Sequence, residues 1–124
     1  MSPELQSLAA QRKLIVSDFA YARSGDKGAN ANVGIACRDA IDYEYLCDTF
    51  TIELVGLYFA DLPITEVIRY EMPNLAALNF ILRNALDGGA ARSLRMDPQG
   101  KTLGESLMMM PLSTLPPSLQ GKPT

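Results

Sequence analysis

The segment Arg23-Ser24-Gly25-Asp26-Lys27-Gly28-Ala29-Asn30, with Asn32 just beyond, is the densest group of chemically capable side chains in this 124-residue chain. Gly25 and Gly28 permit positive φ, which can turn successive backbone N–H groups inward as an anion-binding nest. Arg23 and Lys27 add charge suited to a carboxylate or a phosphate. The spacing is not that of a nucleotide loop. Lys27 precedes Gly28, whereas a P-loop needs GxxxxGK followed by Ser or Thr, and GxGxxG is absent. Gly25-Asp26-Lys27-Gly28 matches the GxxG of a KH-type RNA clamp, but a predicted strand precedes it and the chain is acidic, which argues against that use. The plainer alternative is a connection between strands in which Asp26 and Asn30 cap the backbone as Asx turns.

Other groups are sparser. Arg92 and Arg95 fall in one predicted strand, where alternation places Arg92 beside Leu94 and Met96 and Arg95 on the opposite face. Arg92 is then either a snorkelling stem or half of an ion pair, or else an anion clamp beside a pocket. Glu71 could form an acid–base pair with Asp26 or Asp18 only if the fold brings them together. Asn74 reads as a helix N-cap, and Asn79 as a solvated or capping residue on the helix that follows. Cys37 reads as a small core residue and Cys47 as helical, with no histidine to activate either thiol. Met108-Met109-Met110 is either an adaptable contact surface or the end of the core.

Composition narrows the chemistry. With no histidine, Ser-His-Asp and Cys-His nucleophiles and His-ligated metals are excluded, and two cysteines are too few for an all-cysteine zinc site. No metal and no cofactor is expected, and no catalytic residue can be assigned. Lys and Arg number 11 against 14 Asp and Glu, a net charge of -3, which argues against nucleic acid as a partner. At 48% hydrophobic and 20% charged, the chain has the balance of one folded domain. The start is polar and lacks a secretory pattern. The longest apolar run, 51–60, carries Glu53 and is too short to span a bilayer. A cytoplasmic protein without a membrane partner is the expectation.

The elements that must position these groups follow from periodicity. Residues 1–11 read as an N-terminal arm, helical from Ser2. A strand is predicted over 13–22, interrupted at Asp18, then the loop 23–32 and a strand over 33–37. Asp39 caps a helical stretch from Ala40 whose apolar face is Leu46, Phe50, Leu54, Leu57 and Tyr58, and Thr51 caps a second helix where Thr49 and Thr51 split it. A strand over 64–72 ends at Pro73. The spacing of 75, 78, 81, 82 and 85 or 86 predicts a helix over 74–86, stopped by Gly88-Gly89. A hairpin of strands 90–96 and 101–110 is predicted around Asp97-Pro98-Gln99-Gly100. The Pro-rich residues 111–124 read as an extended or disordered tail. The order β-β-α-β-α-β-β implies an α+β domain over 12–110, a mostly antiparallel sheet with helices packed on one face.

Three segments together resemble a known family. Ala22-Arg23-Ser24-Gly25-Asp26-Lys27-Gly28 with Asn32-Val33-Gly34 is similar to the ARSGDKG signature of the AtuA-type (acyclic terpene utilisation) family. So are Arg69-Tyr70-Glu71-Met72-Pro73-Asn74-Leu75 with Leu78-Asn79-Phe80, and Gly88-Gly89-Ala90 through Arg92 and Arg95 to Gly100-Lys101-Thr102-Leu103-Gly104. The resemblance is to the family's C-terminal domain and implies a ferredoxin-like α+β fold. It also implies a place in the catabolism of terpenes or related branched acyl-CoA compounds. The large N-terminal domain of many relatives is not in this sequence, so the resemblance suggests a stand-alone accessory subunit that binds an AtuA-like large subunit and an anionic or acyl-CoA ligand. It carries no assigned catalytic residues. The matched positions Arg23, Ser24, Gly25, Asp26, Lys27, Gly28, Asn32, Asn74, Asn79, Arg92, Arg95 and Lys101 are the candidate ligand or partner site. The alternatives are a self-sufficient acyl-CoA hydratase, lyase or isomerase, and a homo-oligomeric ligand-binding protein.

Overall fold

Ala20 and Ala22 are buried while Tyr21 and Arg23 between them are exposed, the period-2 signature of a strand with one face on the core. This is β1 (Ala20–Lys27), in a computed structural model that describes residues 14–87 and 102–120. β2 (Asn30–Cys37) pairs with it antiparallel, from Lys27↔Asn30 to Ala20↔Cys37, and buries Ala31, Val33, Ile35 and Cys37. The stretch predicted as a loop is therefore mostly strand. Only Gly28 and Ala29 turn, and Gly28 sits at φ +65 as the first of the two, the arrangement of a type II′ hairpin. The polar residues that suggested a loop are tolerated because β1 is an outer strand.

The sheet order is β1-β2-β4-β3, all antiparallel. β3 is Glu66–Met72 and β4 is Ala77–Arg83, joined by a 3-10 turn at Pro73–Leu75 and by Ala76 in the left-handed region at φ 49. The helix expected over 74–86 is thus a central strand. Its Leu78, Phe80 and Leu82 alternate into the core, each with no exposed surface, and β2 and β3 take up its backbone hydrogen bonds on both sides. Burying such a Phe or Leu contributes about 1.5–3 kcal/mol, more than the local helix preference of the segment.

The helices cover one face of the sheet. Asp39 accepts from the Ile41 N–H (3.1 Å) at a 3-10 turn over Ala40–Asp42, which leads into α1 (Tyr43–Thr49). Thr51 accepts from the Leu54 N–H (3.0 Å) and starts α2 (Ile52–Tyr58), so the predicted break falls where expected. The break rotates the second helix: Val55 and Phe59 are buried, whereas Leu57 is 74% exposed. α3 (Thr102–Met108) packs on β1, where a strand was expected. Leu103 and Leu107 bury at i, i+4, a helical spacing. The order over the described residues is β-β-α-α-β-β-α, not the predicted β-β-α-β-α-β-β. The predicted strand 90–96, the turn at 97–100, the arm 1–11, and Arg92, Arg95 and Lys101 lie outside the described residues.

After α3 the chain runs extended and docked. Met110 accepts from the Val16 N–H (3.0 Å), and the Leu112 N–H donates to the Leu14 carbonyl (2.8 Å). Near its end Ser118 donates to Asp42 twice, from its N–H to Oδ1 (2.8 Å) and from its hydroxyl to Oδ2 (2.5 Å). Asp42 has no exposed surface and is the one fully buried charged side chain among the described residues.

Candidate functional site

Alternation and register divide the motif residues between the two faces of the sheet. Ser24 points to the helical side, where its hydroxyl accepts from the Gly104 N–H (2.9 Å). A Cβ on Gly104 would lie 3.0 Å from the Ser24 nitrogen and 3.1 Å from the Arg23 backbone. Ser24 and Gly104, from two separate motifs, thus dock α3 onto β1 at backbone contact. Asp26 shares the Ser24 side by alternation and is exposed. Gly28 is the turn.

On the opposite, open face three rows cross all four strands. Tyr21, Ala36, Ala77 and Met72 form one; Arg23, Gly34, Asn79 and Tyr70 the next; Gly25, Asn32, Ile81 and Ile68 the third. The Asn32 amide oxygen lies where a Cβ on Gly25 would come within 3.0 Å, and the Asn79 oxygen lies 3.6 Å from a Cβ position on Gly34. The glycines therefore leave room for the two amide side chains to lie over the sheet. The small floor of Gly34, Ala36 and Ala77, walled by Tyr21, Met72 and Arg23, makes a shallow depression of about 280 Å³. Tyr21, Tyr70 and Met72 stand on this face 44%, 53% and 38% exposed.

The charge on this face is one-sided. Arg23, Lys27, Arg38 and Arg83 stand against Glu66 alone, and Glu66 is taken by Arg83 at 3.1 Å. Arg38, one residue past β2, stacks over the Tyr21 ring at 5.7 Å and donates to the Ser17 carbonyl (3.3 Å). Among the described residues no carboxylate pairs with Arg23, Lys27 or Arg38. An otherwise acidic protein thus presents a cationic, aromatic sheet face.

The structure brings Arg23, Gly25, Asn32 and Asn79 together, with Lys27 at the rim. It sets Ser24 and Asp26 on the other side and Asn74, exposed in the Pro73–Leu75 turn, at the end of the sheet. Tyr21, Arg38, Tyr70 and Met72 were missed as site residues by sequence reasoning. The alternation of Tyr21 with the buried alanines was a signal, whereas the reach of Arg38 to Tyr21 exists only through the Ala20↔Cys37 register.

Elsewhere the geometry is structural. Arg69 donates from Nη1 to the Cys47 (2.8 Å) and Phe50 (3.0 Å) carbonyls, fixing the α1–α2 corner, and its Nη2 holds Glu71 at 2.8 Å. Glu71 on β3 and Asp26 on β1 stand on the two outer strands, and Asp18 precedes β1, so no acid–base pair forms between them. Burial, then the nearby Asp42 charge, pushes the Cys37 thiol up to about 12. Burial and the adjacent Cys47 likewise raise Tyr43, whose hydroxyl oxygen is buried without a hydrogen-bond partner among the described residues. Met110 is core and Met109 is 64% exposed, which splits the methionine run between its two readings. A second groove, about 610 Å³, lies between α2 and residues 110–114, but its only ionisable group, Tyr58, donates to the Ser106 carbonyl (2.6 Å). Among the described residues no group of three His, Cys, Asp or Glu side chains could hold a metal, and no helix is long and apolar enough to cross a membrane.

The family model described as AtuA ferredoxin-like domain matches residues 14–113. Searches of curated proteins and of solved structures find no significant match.

Proposed function

We propose that this chain, which belongs to the AtuA ferredoxin-like domain family, is an accessory subunit of an AtuA-like system for degrading terpenes or branched acyl-CoA compounds. It docks through the open face of its sheet on a separately encoded AtuA-like large subunit. An anionic acyl-CoA-type ligand would be held by the assembled pair at the rim of that face, beside Lys27.

The observation that supports this reading is the open face itself. It gathers Arg23, Asn32, Gly34 and Asn79 from two separate motifs, and no described element covers it. Sheets with one helical layer bury their second face when another layer is supplied. The self-sufficient hydratase, lyase or isomerase finds no comparable support, because the candidate acid–base residues stand apart and the Cys37 thiol is held neutral.

Co-expression with a candidate AtuA-like large subunit tests the reading. Co-elution of the two chains is expected, with Arg23→Ala lowering the turnover of the complex on acyl-CoA substrates. A large subunit that elutes alone and works equally well without this chain refutes it. Light scattering on the isolated chain tests the homo-oligomeric alternative.

A further inference from the structure

Resting on that docking reading, we infer that the element seated on the open face is an acidic protein segment, with carboxylates on Arg23 and Arg38 and an apolar side chain on the Gly34–Ala36–Ala77 floor. Charge selects the occupant. Arg23, Lys27 and Arg38 have no carboxylate partner among the described residues, while exposed Glu44, Asp48, Glu53 and Glu105 all lie on the helical side. A second copy stacked face to face would set these cations against their own kind, and like charges brought together oppose docking. Strand addition at the sheet edges is also disfavoured. The outer strands carry Arg23, Asp26 and Lys27 at one edge and Glu66, Arg69 and Glu71 at the other, the charged pattern that blunts edge pairing.

Size argues for a protein rather than a small molecule. Pockets that enclose small ligands run from roughly 300 to 1,000 Å³ and bury most of the ligand. The depression here, about 280 Å³, is at the small end of that range, but it lies open on the sheet surface and would leave most of a small ligand in water. Tyr and Arg are also the residue types that anchor protein interfaces, and Met72 supplies an adaptable wall. A single-stranded nucleic acid could also stack on two exposed tyrosines. The acidic surface on the other side of the molecule and the net charge of -3 count against it.

Calorimetry of the full chain with the AtuA-like large subunit, at 50 and 500 mM NaCl, tests the inference. Binding should weaken on the order of tenfold or more across that salt range. Arg23→Glu and Arg38→Glu should each weaken it on the order of ten- to a hundredfold, while Glu53→Lys on the helical side should not. Unchanged circular dichroism and melting show that the reversed variants fold. If both reversals bind as tightly as the wild type, with a flat salt dependence, the inference is wrong and the docking reading survives. If the wild type does not bind at all, the docking reading fails and takes the inference with it. Displacement of the partner by coenzyme A or by an oligouridine RNA also overturns it, by showing that the face takes a small anion or a nucleic acid.

Discussion

Replacing Ser118 with alanine removes one of the two donors to a carboxylate that has no exposed surface. The Ser118 hydroxyl reaches Asp42 Oδ2 at 2.5 Å and the Ser118 N–H reaches Oδ1 at 2.8 Å, and no other residue is within hydrogen-bonding reach of Asp42's carboxylate among the described residues. A hydrogen bond to a charged group contributes about 1.5–3 kcal/mol, and the substitution keeps the N–H bond. The expected loss is therefore about 1.5–3 kcal/mol, roughly 5–12 °C in melting temperature for a domain of this size. There is a ceiling. If the segment 110–120 lifts off before the domain unfolds, Asp42 becomes hydrated and the loss cannot exceed the segment's own docking free energy. Thermal melts should therefore be read beside amide hydrogen exchange at Leu112 and Ser118, whose N–H groups bond to Leu14 and Asp42. The Asp42→Ala, Ser118→Ala double-mutant cycle isolates the pair, with a coupling of about 1.5–3 kcal/mol expected. A Ser118→Ala protein whose melting and exchange both match the wild type would refute the reasoning, since it would mean that the segment does not rest on Asp42 in solution.

Gly104→Ala should destabilise the domain in urea titrations. The methyl group would sit 3.0–3.1 Å from the Ser24 and Arg23 backbone, which yields less readily than a side-chain end, so overpacking of about 1–3 kcal/mol is set against a gain of about 1 kcal/mol in helix preference; a variant more stable than the wild type would sink the close-contact account. Arg69→Gln should cost about 1.5–3 kcal/mol by leaving the Cys47 and Phe50 carbonyls without their charged donor, and Arg69→Lys, which lacks the fork, should recover only part of it in thermal melts. The Cys37 thiol titrates near 9.0 when unfolded and about 12 when folded, so the unfolded chain loses its proton first and stability should fall as pH rises between those values. Cys37→Ala should flatten that fall, and iodoacetamide at pH 8 should spare Cys37 in the native protein.

Much of the helical layer was legible because its signals are local. Asp39 and Thr51 cap where a short polar side chain meets an apolar run, and a cap needs only its next few residues. The second hairpin strand was legible too, at 33–37. β4 was not, because the segment Leu78-Asn79-Phe80-Ile81-Leu82 satisfies both periods. Ile81 belongs to the open face, and that extra apolar residue completes a helical stripe that a solvated strand face would have broken. α3 was obscured by Gly104, a poor helix former whose place is explained only by the backbone of β1. The site shows the same limit. Arg23, Asn32 and Asn79 stood out by type and motif, but their common face is a matter of strand register, which no local pattern carries.

The floor of the open face has two parents. Gly34 and Ala36 come from the hairpin of β1 and β2, while Ala77 and Asn79 come from the hairpin of β3 and β4, and the only sheet contact between the hairpins is the β2–β4 seam. Each hairpin closes over a short loop, whereas the seam closes over the helices between them, a much longer loop. A chain with both hairpins formed but unjoined would not possess that surface. Whatever straddles the seam binds the finished sheet and not its halves, so it pulls the assembly step forward by mass action. Recognition and the joining of the two hairpins are, at that surface, one equilibrium.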